Sequence, residues 1–265
     1  MEPTGMELDG KPASLEQARA LALTNYGHFT SMLVENDRVR GLSLHMERLI
    51  RDCAYLFAAD LDAEHVRRCV RRALAGTDQP TVIRVTIYDP ALDLGTVGRD
   101  AKPHVLVTAR PAPPGAAPKP LRLQAVAYQR DAPAVKHVGL FGALHNRRQA
   151  QRQGFDDALF LNPDGTISEI ATSNVGCIRD RELIWPRSEW LSGVTMRLVH
   201  QALDEPVTSK AVTLADLAGM DAVFATNAVA GIRSVASVDD MSWATDHEVV
   251  SELRALYEDI PGELI

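Results

Sequence analysis

Residues 136–195 read KHVGLFGALHNRRQAQRQGFDDALFLNPDGTISEIATSNVGCIRDRELIWPRSEWLSGVT, and the fold turns on how they are read. The stretch opens on an isolated lysine, Lys136, and runs into an Arg-rich helix. A strand hairpin follows, turned by Pro163-Asp164-Gly165, residue types that suit a tight bend. Its second arm carries Glu169, and a further helix starts at Ser192-Gly193-Val194-Thr195. Lys136 precedes the apolar run VGLFGAL. An ammonium among apolar neighbours is costly to keep charged, so its amine is expected to be nucleophilic. Glu169, flanked by Ile167 and Ile170, reads as a partly buried carboxylate in want of a cation. At Gly193 the free amides and the positive end of the helix attract an anion, and the Thr195 hydroxyl adds a donor. Plainer alternatives are a lysine and a glutamate in water, and an ordinary Ser192 N-cap.

Outward from this stretch, the first half predicts an α+β unit. A short strand near Met6–Leu8 turns at Asp9-Gly10, and residues 1–5 read as an extension. His28–Glu35, rich in β-branched and aromatic residues, turns through Asn36-Asp37 into Arg38–Arg40. Ser43 is placed to cap a helix to about Ala58, and Asp62 a second helix with the stripe Val66, Cys69, Val70, Ala73 and Leu74, stopped at Gly76. Strands are expected at Thr81–Tyr88 and His104–Ala109. PAPPGAAPKP, residues 111–120, can form neither a regular helix nor an interior strand, because proline fixes φ and lacks an amide donor. The expected partition is therefore a small N-terminal domain at 1–112, a linker at 113–120 and a larger C-terminal domain at 121–265. In the latter, Leu121–Tyr128, Ala222–Thr226 and Arg233–Val238 read as strands around a turn at Asn227–Gly231. Thr213–Gly219 reads as a short helix and His247–Glu258 as an amphipathic one.

With 265 residues the chain can bury a large core, and a net charge of −7 argues against a nucleic-acid surface. No apolar run approaches the roughly 20 residues of a membrane helix, and the first residues lack the regions of a signal peptide. Cys53, Cys69 and Cys177 are widely spaced among apolar residues, which points to reduced, buried thiols and a cytoplasmic setting. His28, His45 and His137 lack metal-ligand spacing, and Arg147-Arg148 reads as a solvated or interdomain face. Lysine occurs only at positions 11, 102, 119, 136 and 210, and all but Lys136 sit beside Pro, Gly or polar residues.

The order of lysine, helix, D-x-A-L-x-L strand, x-D-G turn, S-E-x-x-x-x-N strand and G-V-T helix start resembles the class IV (fold-type IV) pyridoxal-phosphate enzymes. That family includes branched-chain and D-amino-acid aminotransferases and aminodeoxychorismate lyase. The resemblance implies a two-domain α/β fold with pyridoxal 5'-phosphate in the interdomain cleft, and a homodimer. It implies that Lys136 bonds the cofactor and, once freed, moves the substrate's Cα proton. Glu169, 33 positions on, would face the pyridine nitrogen. Arg48, in a stretch matching the family's H-x-x-R-L, would grip the phosphate beside Val194, Thr195 and the Asn227-Ala228 turn. Asn174 would brace backbone. The expected reaction is transamination between an amino acid or amine and a 2-oxo acid. Phe141 stands where many family aminotransferases carry a tyrosine, and Ile170 replaces a glycine. His137, Phe29-Thr30 and Asn227-Ala228 look more like the lyase. A lyase releasing pyruvate, and a non-catalytic binding protein on this scaffold, are thus the alternatives.

Overall fold

The computed structural model describes residues 5–113, 118–203 and 207–265. Residues 114–117 of the expected linker and 1–4 of the expected extension lie outside them. The chain forms two compact units. The first holds the described residues up to 113, together with Val135–Gly139 and Gly262–Ile265. Both short segments had been assigned by sequence to the C-terminal half. The second unit holds the described residues from 118 to Ala134 and from Leu140 to Pro261.

In the first unit, β1 (Met6–Leu8), β2 (Lys11–Pro12), α1 (Leu15–Thr24), β3 (His28–Val34), β4 (Arg38–Val39), α2 (Leu42–Phe57), α3 (Ala63–Ala73), β5 (Thr81–Tyr88) and β6 (His104–Pro111) follow in order. The main sheet runs β2-β1-β6-β5-β3, antiparallel throughout. Asn36 and Asp37 both have positive φ, as a two-residue hairpin turn between right-twisted strands requires. Strand alternation sends Met32, Val34, Ile83, Val85 and Ile87 into one core with Leu49 and Cys53 of α2 and Val66 and Val70 of α3. Asp62 caps α3 as expected, its carboxylate accepting the Glu64 amide at 2.8 Å.

Ser43 does not cap α2. The helix starts two residues earlier than a Ser43 cap would set it, after Gly41 in left-handed conformation. The Ser43 amide and hydroxyl instead donate to the Glu263 carboxylate at 2.9 and 3.0 Å. A helix's first amides need an acceptor, and here a residue 220 positions away provides it. Helix α1 was not among the expected elements. It starts with a Ser14–Gln17 capping box but buries no residue, so it has no apolar stripe to betray it.

The second unit continues with β7 (Leu121–Ala127), α4 (Phe141–Arg152), β8 (Asp157–Leu161), β9 (Ile167–Ile170), β10 (Asn174–Arg179), β11 (Glu182–Pro186), α5 (Val194–Ala202), β12 (Thr208–Lys210), β13 (Ala222–Asn227), β14 (Gly231–Val238), β15 (Met241–Ser242) and α6 (Glu248–Asp259). Its sheet runs β12-β11-β10-β13-β14-β7-β8-β9, with β15 on β14. The expected short helix at 213–219 is a 3-10 turn over Ala215–Gly219. The expected S-E-x-x-x-x-N strand is two strands, β9 and β10, parted by a turn at Ala171-Thr172. Finally β16 (Glu263–Leu264) returns to pair with β4 in the first unit. Among the described residues no helix is long and apolar enough to cross a membrane.

Candidate active site

In the first unit the chemistry gathers on α2, β3 and the segment 135–139. Four lysines are exposed and Lys136 is half-buried. Its amide donates to Asp52 Oδ2 at 3.0 Å, and its carbonyl accepts from the Phe29 amide at 2.8 Å. Val138 donates to Gly27 O at 2.9 Å, so the segment is laced to the start of β3. The Lys136 Nζ lies 4.9 Å from the centre of the Phe29 ring. Arg84, on β5, covers the same ring at 3.6 Å. No ion pair to Arg84 is found among the described residues, and burial lowers the pKa of its guanidinium.

Residues 45, 48 and 52 share one face of α2, by the i, i+3, i+7 spacing of a helix. Arg48 is buried, only 5% exposed, which sets it apart from an ordinary solvated helix arginine. Asp52 is fully buried and takes Arg51 on its other oxygen at 2.7 Å. His45 is also fully buried, its Nδ1 2.7 Å from Thr30 Oγ1. Burial holds its pKa well below the usual imidazole range, and the charges of Arg48 and Lys136 push the same way. His28, on β3, is buried with neither ring nitrogen hydrogen-bonded among the described residues. Burial takes its pKa from 6.5 down to about 4, against an opposing pull from Asp52. Both rings are neutral histidines of the interior.

The second unit brings β9, β10, β13 and the start of α5 together. Glu169 is buried, and Arg130 Nε donates to its Oε1 at 2.6 Å. The cation expected beside this carboxylate was a cofactor nitrogen; in the chain itself it is Arg130, whose side chain is 8% exposed. Asn174 Nδ2 donates to Leu191 O at 2.7 Å, bracing the loop before α5. Its Oδ1 fits against Gly193, where a Cβ would come within 1.9 Å, so only glycine fits at this helix entry. Gly193, not Ser192, occupies the N-cap position, and no side chain caps the helix. The first amides of α5 are therefore available to an anion. Thr195 and Thr226, each 1% exposed, have buried hydroxyls with no hydrogen-bond partner among the described residues. Leaving such a group unsatisfied costs about 1–3 kcal/mol, which an anion accepting from it would remove. Asn227 spends its side chain on the turn, accepting from Val229 and Ala230 at 3.0 and 2.8 Å and donating to Ser173. Ala228 sits at the bend of that turn.

Two departures noted in the sequence take a defined place. Ile170 is 1% exposed and packs in the core with Leu159, Ile167 and Val175. An irregular register between β8 and β9 lets residues three apart both face inward. Phe141 is 79% exposed at the head of α4 and stacks on His145. Arg147, expected as a solvated residue or part of an interdomain face, lies 3.5 Å from the buried carboxylate of Asp157. Arg130, Asp52 and Arg84 were missed by sequence reading. Arg84 alone left a local sign, an arginine inside the otherwise apolar strand TVIRVTIY.

Comparison with known proteins bears on the family and the fold. The model of the amino-transferase class IV family matches residues 27–238. A probable branched-chain-amino-acid aminotransferase of Rickettsia bellii is 23% identical over 270 residues, covering 94% of this chain and 93% of that one. Among solved structures, a branched-chain aminotransferase from the archaeon Thermoproteus uzoniensis, determined with norvaline, superposes with a TM-score of 0.84. It is 22% identical, over 96% of this chain and 93% of that one. A putative 4-amino-4-deoxychorismate lyase from Legionella pneumophila gives 0.80 at 23% identity, over 91% and 93%. The two structures share the fold, the one expected from the sequence, and the family model spans most of the chain. This protein belongs to the class IV amino-transferases.

Proposed function

We propose that this class IV amino-transferase uses pyridoxal 5'-phosphate bonded to Lys136 to move an amino group between an amino acid or amine and a 2-oxo acid. The observation that carries the assignment is Lys136 itself, the one lysine withdrawn from solvent, pinned by its backbone and set over an aromatic ring. The cofactor's phosphate suits the unpartnered hydroxyls of Thr195 and Thr226, the uncapped amides from Val194 onward and the Asn227-Ala228 turn. Arg48 supplies the permanent, planar cation that phosphate favours. Glu169 is assigned to the pyridine nitrogen, with Arg130 fixing its orientation.

When bound, the cofactor supplies the electron sink for charge developing at the substrate's Cα. The chain supplies the rest. Lys136 takes and returns the Cα proton, a role that suits a half-buried amine. Arg84, beside the same Phe29 ring, is assigned to the substrate's carboxylate. Both cations lie against the Phe29 ring, at 3.6 and 4.9 Å from its centre. Three free, buried cysteines favour a reducing, cytoplasmic setting, and a homodimer completes the proposal on family likeness alone.

An aliphatic or aromatic amino acid is expected to bleach the visible band of the bound cofactor, and 2-oxoglutarate or pyruvate to restore it. If a broad donor panel leaves the band untouched while aminodeoxychorismate yields pyruvate, the lyase reading replaces this one. The binding-protein alternative lost a motive once Ile170 proved to lie in the core.

Arg48→Ala should weaken retention of the cofactor by roughly tenfold to a hundredfold, the equivalent of about 1.5–3 kcal/mol for a lost charge-assisted hydrogen bond. Titration of the apo-protein with pyridoxal 5'-phosphate measures it. Unchanged affinity would remove Arg48 from the phosphate site.

A further inference from the structure

We infer that Asp52 is a positioning residue for the reaction: from α2 its carboxylate holds the peptide of Lys136 and so fixes where the working amine stands. The inference rests on the assignment of Lys136 made above. Segment 135–139 has no regular ladder of its own. One isolated bridge, His28 to His137, joins it to β3. Its place is set by a few discrete bonds, and the Asp52 Oδ2 bond to the Lys136 amide, at 3.0 Å, reaches it from a residue 84 positions earlier. The Phe29 amide donates to the Lys136 carbonyl at 2.8 Å, so the residue is held through both its N–H and its C=O.

A lysine side chain has four rotatable carbons, and its aim depends on where its Cα is anchored. Displacement of a reacting group by about 1 Å can cost a hundredfold in rate. Asp52 stands one turn beyond Arg48 on the same rigid helix. It therefore keeps the lysine in register with the arginine assigned to phosphate. Arg51 occupies the other oxygen through Nε and Nη2, at 3.0 and 2.7 Å. That guanidinium offsets the carboxylate's charge, which makes the role of Asp52 geometric rather than electrostatic. A fully buried carboxylate with no role beyond filling space would be a costly choice, since an apolar residue of equal size would serve.

The test compares wild type, Asp52→Ala and Asp52→Asn as holoenzymes, because asparagine's carbonyl can accept the same amide. The alanine variant is expected to slow the amino-donor half-reaction roughly tenfold to a hundredfold with the donor's KM within about threefold. Asparagine should recover the rate to within about threefold of wild type. A second readout needs no turnover. Apo-protein is mixed with pyridoxal 5'-phosphate, quenched with borohydride at intervals, and the labelled peptide located by mass spectrometry. Labelling of Lys136 should be slowed by alanine and restored by asparagine. Should the alanine variant not fold, the pair Asp52→Leu with Arg51→Met, which removes both charges, takes its place with the same expectations. Wild-type rates in the variants lacking the carboxyl group, or an asparagine variant as slow as they are, would overturn the inference. Label on a different lysine in the wild type would instead overturn the assignment of Lys136 beneath it.

Discussion

Lys136→Ala is expected to give a folded protein that purifies without the visible cofactor band and turns over at least about 10⁴-fold more slowly than wild type. The size follows from two losses at one atom. The amine both bonds the cofactor and moves the Cα proton, and acid–base catalysis alone is worth about 10²–10⁴-fold. The fold should survive, because the segment's bonds to Asp52 and Phe29 run through the backbone of residue 136 and not its side chain. No other lysine can substitute, since Lys11, Lys102, Lys119 and Lys210 are all exposed. Absorbance of the purified variant, with circular dichroism as the check on folding, decides the matter. A band that survives this change but vanishes in Lys210→Ala would sink the site as drawn.

Acid should weaken this protein well above the pH at which carboxylates titrate. His28 ionises at 6.5 when unfolded and at about 4 in the buried fold. Below pH 6.5 the unfolded chain therefore binds a proton that the folded one refuses. Stability is complete above 6.5 and is lost progressively as pH falls toward 4, by about 3 kcal/mol in total. His45, lowered for the same first reason, steepens the loss. Urea midpoints measured from pH 7.5 to 4.5 should fall accordingly, and His28→Phe should flatten the slope by about one proton. Equal slopes in the two proteins would mean that His28 is not buried neutral.

What the sequence made legible was local. A run of β-branched and aromatic residues before an Asn-Asp turn placed β3, and Asp62 announced α3 because a cap acts on an amide two residues away. Lys136 stood out because lysine is scarce and its neighbours are apolar. Illegible features depend on partners distant in the chain. Nothing near Glu169 points to Arg130, 39 positions back, and nothing near Ser43 points to Glu263. Assigning Lys136 to the C-terminal half followed from the proline-rich break, yet backbone bonds to Gly27, Phe29 and Asp52 bind its segment into the first unit. Sequence proximity has no bearing on such bonds. Asp52 was invisible for a further reason: in isolation, an acid next to an arginine on a helix looks like a surface pair.

The bond between Ser43 and Glu263 also sets a schedule. A ribosome adds about 5–20 residues per second, so the 220 positions between the two take about 10–45 s to make. Throughout that interval α2 lacks the carboxylate that completes its first turn, and β4 lacks the strand that pairs with it. The first unit waits on residues made only after the second unit has been synthesised, so its final closure follows the making of the unit that interrupts it.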